Sequence, residues 1–340
     1  MKVRIATRGS ELALTQVRLV SAALRAHTPD LEVEEVPVST RGDRVTDRPL
    51  AALGGKGLFV SEVEAMVATG QADLAVHSLK DVPGDVELAE GMELVCIPAR
   101  ESPFDVLLTR DGRSLGELRS GARVGTTSLR RVAQLAAVRG DLVFDTLRGN
   151  VGTRLSRLHE GAFDAIVLAA AGLSRLGLLE REPHVVLDAD VCLPAVGQGT
   201  LAIEAAGARD DLRRLLAPLE DRSARIETTA ERAMLKRLEG SCRVPIAGHA
   251  RFDAASGRVA IEGRVAGLRD GRLLCAGGDR YLGAGAPDDA LRAAHALGVE
   301  VADALLAQGA RSLMREVEAD VLRSELAGNG GGDRGPYRWP

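Results

Sequence analysis

Three groups of residues have types and spacings that could do chemistry. The first is Cys242 in "LEGSCRVP", residues 238–245. A cysteine set between Gly240–Ser241 and Arg243 reads as a loop thiol, and the adjacent cation favours the nucleophilic thiolate. Cys96, Cys192 and Cys275 stand in apolar runs and are expected to pack as small hydrophobes. The second group is "HSLKDVP", residues 77–83. It follows an apolar run and closes on a proline turn, which predicts Ser78, Lys80 and Asp81 at the C-terminal end of a strand. A carboxylate beside an ammonium there can stabilise a developing cation or move protons. The same spacing also suits an ordinary surface ion pair at a turn. The third group is a set of arginines: Arg8, Arg130, Arg131, Arg148, Arg154 and Arg175. Several open helices or stand beside Gly, Ser or Thr. Guanidinium forks hold carboxylates and phosphates in bidentate fashion. As a set, in a chain of net charge −4, they point to a ligand with many negative groups.

Composition narrows the ligand class. The net negative charge gives no overall field for nucleic acid, and only 2% of residues are aromatic, too few for base-stacking platforms. "GGKG" and "RGNVG" are not Walker loops, so a nucleoside triphosphate is disfavoured. No cysteine pair or His spacing suits a structural metal, so none is expected. No apolar run is long enough to span a membrane and no export signal is visible, which predicts a cytoplasmic protein with free thiols.

The elements that must position these residues repeat. "RIATRGSELALTQVRLV" and "ARVGTTSLRRVAQLAAV" both read as strand, polar turn and helix. A Gly-rich loop, a helix, G-x-x-D and a strand follow in "GGKGLFVSEVEAMVATGQADLAVHS" and again in "RGNVGTRLSRLHEGAFDAIVLAA". This predicts an α/β fold with two lobes of similar plan and mostly parallel sheets, their ligands at strand ends and helix N-termini. Pro and Gly punctuate "PARESP" (98–103) and "LPAVGQG" (193–199), which read as two crossings between lobes. The division is then 1–97 with 198–218 for the first lobe and 101–193 for the second. Residues 221–326 form a smaller α+β domain. Within it, helical periodicity over 223–238 precedes strand-like runs, with "RDGR" (269–272) as a hairpin turn and a last apolar-faced helix. The Gly-rich tail, 327–340, is expected to be disordered.

Taken in order, "ATRGS", "TRGD", "GGKGLF", "AVHSLKDVP", "VGTTSLRR", "LRGNVGTRL", "LPAVGQG" and "EGSCRVP" closely resemble the porphobilinogen deaminase family, from residue 4 to about residue 317. The resemblance implies two lobes of the periplasmic-binding-protein type plus an α+β domain. It implies a monomer that joins four porphobilinogen molecules head to tail, releasing ammonia. It also implies a dipyrromethane cofactor held by a thioether to Cys242. By the same resemblance, Asp81 is the catalytic aspartate. Ser78, Lys80, Asp81, Thr126, Ser128, Arg130, Arg131, Arg148 and Arg154 would hold the cofactor. Arg8, Ser10, Arg148, Arg154 and Arg175 would hold substrate, with Lys56 and Phe59 from a mobile Gly-rich loop. Some members carry a further lysine where this chain has Ala52.

A two-lobed binding protein for a small dicarboxylate, without catalysis, also explains the lobes and arginines. It leaves Cys242 and the third domain without a role.

Overall fold

Apolar residues fall on both faces of the central strands, and this sets the layers. In the computed structural model, which describes residues 1–40, 60–84, 88–239, 244–268, 271–283 and 286–327, strand β1 (Lys2–Arg8) shows the pattern first. Val3 and Ile5 pack on Val17, Val20 and Leu24 of helix α1 (Glu11–His27). Ala6, on the opposite face, packs on Val63 and Val67 of α2 (Ser61–Ala68). A strand covered on both sides belongs in the middle of a helix-flanked sheet. The sheet order is β2 (Glu32–Val38), β1, β3 (Leu74–Ser78), β10 (Leu201–Ala206), β4 (Met92–Cys96). β2, β1 and β3 pair in parallel, whereas β10 runs antiparallel to both β3 and β4.

The second sheet repeats this plan. Its order is β7 (Val143–Asp145), β6 (Arg123–Gly125), β8 (Ala165–Ala169), β5 (Asp105–Thr109), β9 (His184–Leu187). β6 pairs in parallel with β7 and β8, and β5 is antiparallel to its neighbours β8 and β9. Helix α3 (Leu129–Val138) covers one face through Val132, Leu135 and Ala136. Helices α4 (Val151–His159) and α5 (Ala170–Arg175) cover the other through Leu155, Leu158 and Leu173. The repeated sequence segments therefore land on matching parts: β1–α1 with β6–α3, and α2–β3 with α4–β8. Each sheet is parallel but for one strand, and that strand is the one that enters from the other sheet: β4 leads across to β5, and β9 leads back to β10.

The last third is a three-stranded antiparallel sheet, β11 (Ile246–Asp253), β12 (Arg258–Ala266) and β13 (Leu273–Tyr281). Helices α7 (Arg222–Leu238) and α8 (Pro287–Ala307) cover it, with Ile226, Met234, Leu297, Val301 and Leu305 in its core. α9 (Ala310–Ala327) follows, and α6 (Asp210–Leu216) packs Leu212 and Leu216 on the first sheet. Cys96 and Cys192 are buried as expected, but Cys275 is exposed. The apolar run around it is an edge strand in which Leu274 and Ala276 face the core, and the alternation turns Cys275 outward.

The two crossings press against each other. Gly199 has φ +88°, and a Cβ there would lie 2.4 Å from the Glu101 carbonyl oxygen. Glu231 of α7, fully buried, accepts from Gly197 N at 2.7 Å and from Ala250 N at 2.8 Å, and pairs with Arg100 at 2.7 Å. The third domain is thus bonded to both crossings. Gly199→Ala combines a disfavoured backbone conformation with a backbone clash, so a loss of about 1–3 kcal/mol is expected in the urea midpoint. An unchanged midpoint would mean that the crossings can separate without cost.

Candidate functional site

β3 ends at Ser78, and residues Leu79–Asp81 then form one 3-10 turn, with Leu79 buried beneath it. The buried leucine anchors the turn and leaves Lys80 and Asp81 on its open side, where both are exposed. Ser78 Oγ accepts from Gln16 Nε2 of α1 at 3.0 Å. Lys80 Nζ donates to Gln198 Oε1 in the return crossing at 3.3 Å. The surrounding pocket is lined from both lobes: Gln16, Ser78 and Lys80 on one side, Gly172 and Arg175 on the other, Thr200 between them. The Lys80 ammonium is pushed down to about 8. The protein walling it in is the first cause; Arg131 and Arg130 add to it, against Asp81 and Asp105. Solvent reaches this side chain and moderates the push.

Close to Lys80 lies a cationic cluster. Ser128 stands at the N-cap of α3 and its side chain makes no capping bond, so the first turn keeps open N–H groups beside Arg130 and Arg131. Thr126, buried, accepts from Ser128 N at 3.2 Å and shapes the approach to the helix. Both arginines are buried and share the carboxylate of Asp105: Arg130 Nη2 to Oδ2 at 2.8 Å, Arg131 Nη2 to Oδ1 at 2.7 Å. Arg130 also donates to the Leu193 carbonyl at 2.6 Å, and Arg131 to the Val167 carbonyl at 2.8 Å. Burial by itself would raise Asp105; the two guanidiniums hold it well below the usual carboxylate range. Arg131 Nε is buried with no partner among the described residues. Arg154 of α4 donates to the Gly149 carbonyl at 2.8 Å. Its guanidinium is pulled down to about 10, first by burial and then by the charges of Arg131 and Arg148. Arg131, Arg148 and Arg154 thus stand near enough for their charges to be felt at Arg154, and the buried Arg130–Arg131 pair shares one carboxylate.

The structure therefore brings together Ser78, Lys80, Asp81, Arg130, Arg131, Arg148 and Arg154, with Thr126 and Ser128 at the α3 entrance. Arg8 ends β1 and Ser10 caps α1, whose next turn supplies Gln16 to the pocket. Arg175 is engaged at the crossings, donating to Glu101 Oε1 at 3.0 Å and to the Gly199 carbonyl at 2.7 Å, so only part of its fork faces the pocket. Lys56, Phe59, Ala52, Cys242 and the tail from residue 328 lie outside the described residues. Three contributors had not been picked out from sequence. Gln16 is an ordinary polar residue in an amphipathic helix. Asp105 opens the apolar run "DVLL", and a charge at the head of such a run was the available signal. Gln198 lies in "LPAVGQG", where Pro and Gly mark the crossing and nothing singles out the glutamine. Among the described residues no cluster of His, Cys, Asp and Glu could hold a metal ion, and no helix is long and apolar enough to cross a membrane.

Comparison with known proteins bears on both halves of the chain. The family model described as "Porphobilinogen deaminase, dipyromethane cofactor binding domain" matches residues 3–214. That of the "Porphobilinogen deaminase, C-terminal domain" matches residues 225–307. The porphobilinogen deaminase of Xanthomonas axonopodis pv. citri is 50% identical, over 93% of this chain and 99% of that protein. That of Nitratidesulfovibrio vulgaris, strain Miyazaki F, is 49% identical over 93% and 97%. That of Syntrophobacter fumaroxidans is 46% identical over the same shares. Among solved structures, the Bordetella pertussis BvgS periplasmic VFT2 domain aligns over 63% of this chain and 85% of that one, with TM-score 0.36 and 16% identity. With family models covering both the lobes and the third domain, and relatives matched almost end to end, the chain belongs to the porphobilinogen deaminase family.

Proposed function

We propose that Asp81 and Lys80, on the turn after β3, carry the chemistry of this family in the present chain, facing an arginine wall that holds the pyrrole carboxylates. The chain is a transferase, a hydroxymethylbilane synthase. It joins four porphobilinogen molecules head to tail with loss of ammonia, then releases the linear tetrapyrrole. The observation that carries the residue assignment is the buried Arg130–Arg131 pair, close enough to repel the ammonium of Lys80, which shares its turn with the exposed Asp81 carboxylate. Each pyrrole bears an acetate and a propionate, so each addition brings two more negative charges to be held.

The residues present fit the dipyrromethane cofactor. The unpartnered Arg131 Nε and the uncapped start of α3 are donors awaiting an anion. Ser128, Thr126, Arg130, Arg131, Arg148, Arg154, Lys80 and Ser78 would hold its carboxylates, and the Cys242 sulfur would hold it covalently. When bound, it supplies the pyrrole carbon to which the first substrate is joined. Around it the chain's own residues do the rest. When the C–N bond of the protonated aminomethyl group of porphobilinogen breaks, the electron pair leaves with nitrogen as ammonia and the methylene becomes electron-poor. The Asp81 carboxylate stabilises that developing positive charge, accepts hydrogen bonds from pyrrole N–H, and can take up the proton released on coupling. Arg8, Ser10 and Arg175 orient the incoming substrate's carboxylates, with Lys56 and Phe59 as further substrate-binding residues. The two lobes comprise 1–97 with 198–218 and 101–193, and 221–326 presents the cofactor loop. The sheet memberships of β4, β5, β9 and β10 support this division. The enzyme works as a cytoplasmic monomer.

Intact-mass measurement of the denatured protein, purified from cells that make porphobilinogen, tests the reading. Two linked pyrrole units in excess, mapped to the Cys242 peptide, are expected. A bare chain that binds dicarboxylates without turnover would favour a two-lobed binding protein instead.

A further inference from the structure

We infer that Gln198 is a positioning residue for this reaction: its side-chain amide holds the Lys80 ammonium toward the arginine wall and off the Asp81 carboxylate. The inference rests on the roles given above to Lys80 and Asp81. Gln198 is 1% exposed and sits in the return crossing, where the lobes meet. Its amide is fixed in one orientation. Nε2 donates to the Pro103 carbonyl at 2.7 Å and to Asp105 Oδ1 at 2.9 Å. Both partners are acceptors only, since Asp105 is ionised, so the NH2 end must point to them and Oε1 must point away. Oε1 faces Lys80 Nζ at 3.3 Å. The backbone is held as well, by Arg100 Nε donating to the Gln198 carbonyl at 3.0 Å. Flipping the amide would set its oxygen against two acceptors and its NH2 against an ammonium.

The charges explain why a neutral acceptor is needed there. Lys80 is repelled by Arg131 and Arg130 and attracted most strongly by its neighbour Asp81 and less by Asp105. Left to those forces, a flexible lysine side chain would fold onto Asp81 and neutralise the carboxylate that the reaction uses. The Gln198 carbonyl offers a competing site on the other side, without adding a charge beside Asp105. One side chain thereby links the catalytic turn of the first sheet to the Asp105–Arg130–Arg131 cluster of the second.

Two substitutions in the primer-loaded enzyme test this. Glu at position 198 would keep one oxygen for Lys80 and turn the other toward Pro103 and Asp105. The groups facing it would be Lys80, Asp105 with Arg130 and Arg131 behind it, and Arg100 at the backbone. Only the protonated carboxyl could donate across that gap. In Gln198→Glu, the turnover ratio to the parent is expected to be highest at low pH and to fall about tenfold between about pH 6 and about pH 8.5. Gln198→Met keeps the length and removes the amide; kcat should fall about tenfold with KM within about threefold and no pH trend in the ratio. A flat ratio for the first variant, with the second within about twofold of the parent in kcat, would overturn the inference. If the glutamate variant does not fold by circular dichroism, the kcat and KM values of the methionine variant decide alone. A parent without primer mass or tetrapyrrole product would instead overturn the functional reading itself.

Discussion

Asp81→Asn is expected to fold, to retain its covalent primer and to lose about 10²–10³-fold in kcat. The carboxylate stands exposed at the end of a turn anchored by buried Leu79, so an isosteric amide has little folding free energy to disturb. What changes is charge. An electron-poor methylene forms as ammonia leaves, and a neutral amide offers it a dipole where the carboxylate offers a full negative charge. The amide also cannot take up a proton at neutral pH. Steady-state kcat and KM, with intact mass to show the primer, separate the two roles: a fall confined to kcat fits transition-state stabilisation, and a rise confined to KM would indicate simple binding. Turnover within about twofold of the parent would remove Asp81 from the chemistry.

The largest stability effect is expected at Asp105. Its carboxylate is fully buried and is shared by Arg130, Arg131 and Gln198. Asp105→Asn keeps the shape but strands two buried guanidiniums without their counter-charge, which costs about 3–5 kcal/mol. The pH dependence has a definite sign. Asp105 titrates far below its unfolded value, so its contribution is complete above about pH 4–5 and is lost only as pH falls through the depressed native value. The gap between parent and variant in urea midpoint should therefore be constant from about pH 5 upward and close only in strong acid. A variant within about 1 kcal/mol of the parent at neutral pH would mean that the guanidiniums find another counter-charge.

Much of this was legible in sequence because it follows from local pattern. The repeated strand–turn–helix segments landed on β1–α1 and β6–α3 because apolar spacing and Gly/Ser/Thr turns act over a few residues. The turn after β3 was legible as an apolar run stopped by proline, and the crossings as Pro/Gly punctuation. Strand direction was not. Alternation carries no sign, so nothing in "LLT" or "IEAA" marks β5 and β10 as the reversed strands; their direction is set by arrival from the other lobe. The environment of Arg130 and Arg131 was hidden for a similar reason. Their partner Asp105 lies about 25 residues away on another element, so two arginines that looked free for a ligand turned out half committed to a buried carboxylate. Gln198 shows the same limit, since all three partners of its side chain are brought in by the fold from more than 90 residues away.

The placement of β10 between β3 and β4 also bears on how the chain is made. During synthesis β4 emerges early, but among the described residues its one hydrogen-bonded neighbour in the sheet is β10, which is not complete until residue 206. The second sheet, by contrast, is one uninterrupted stretch from β5 to β9, residues 105–187. The middle of the polypeptide can thus close its sheet while the beginning still lacks a strand. In translation order the amino-terminal lobe is first to be started and second to be finished.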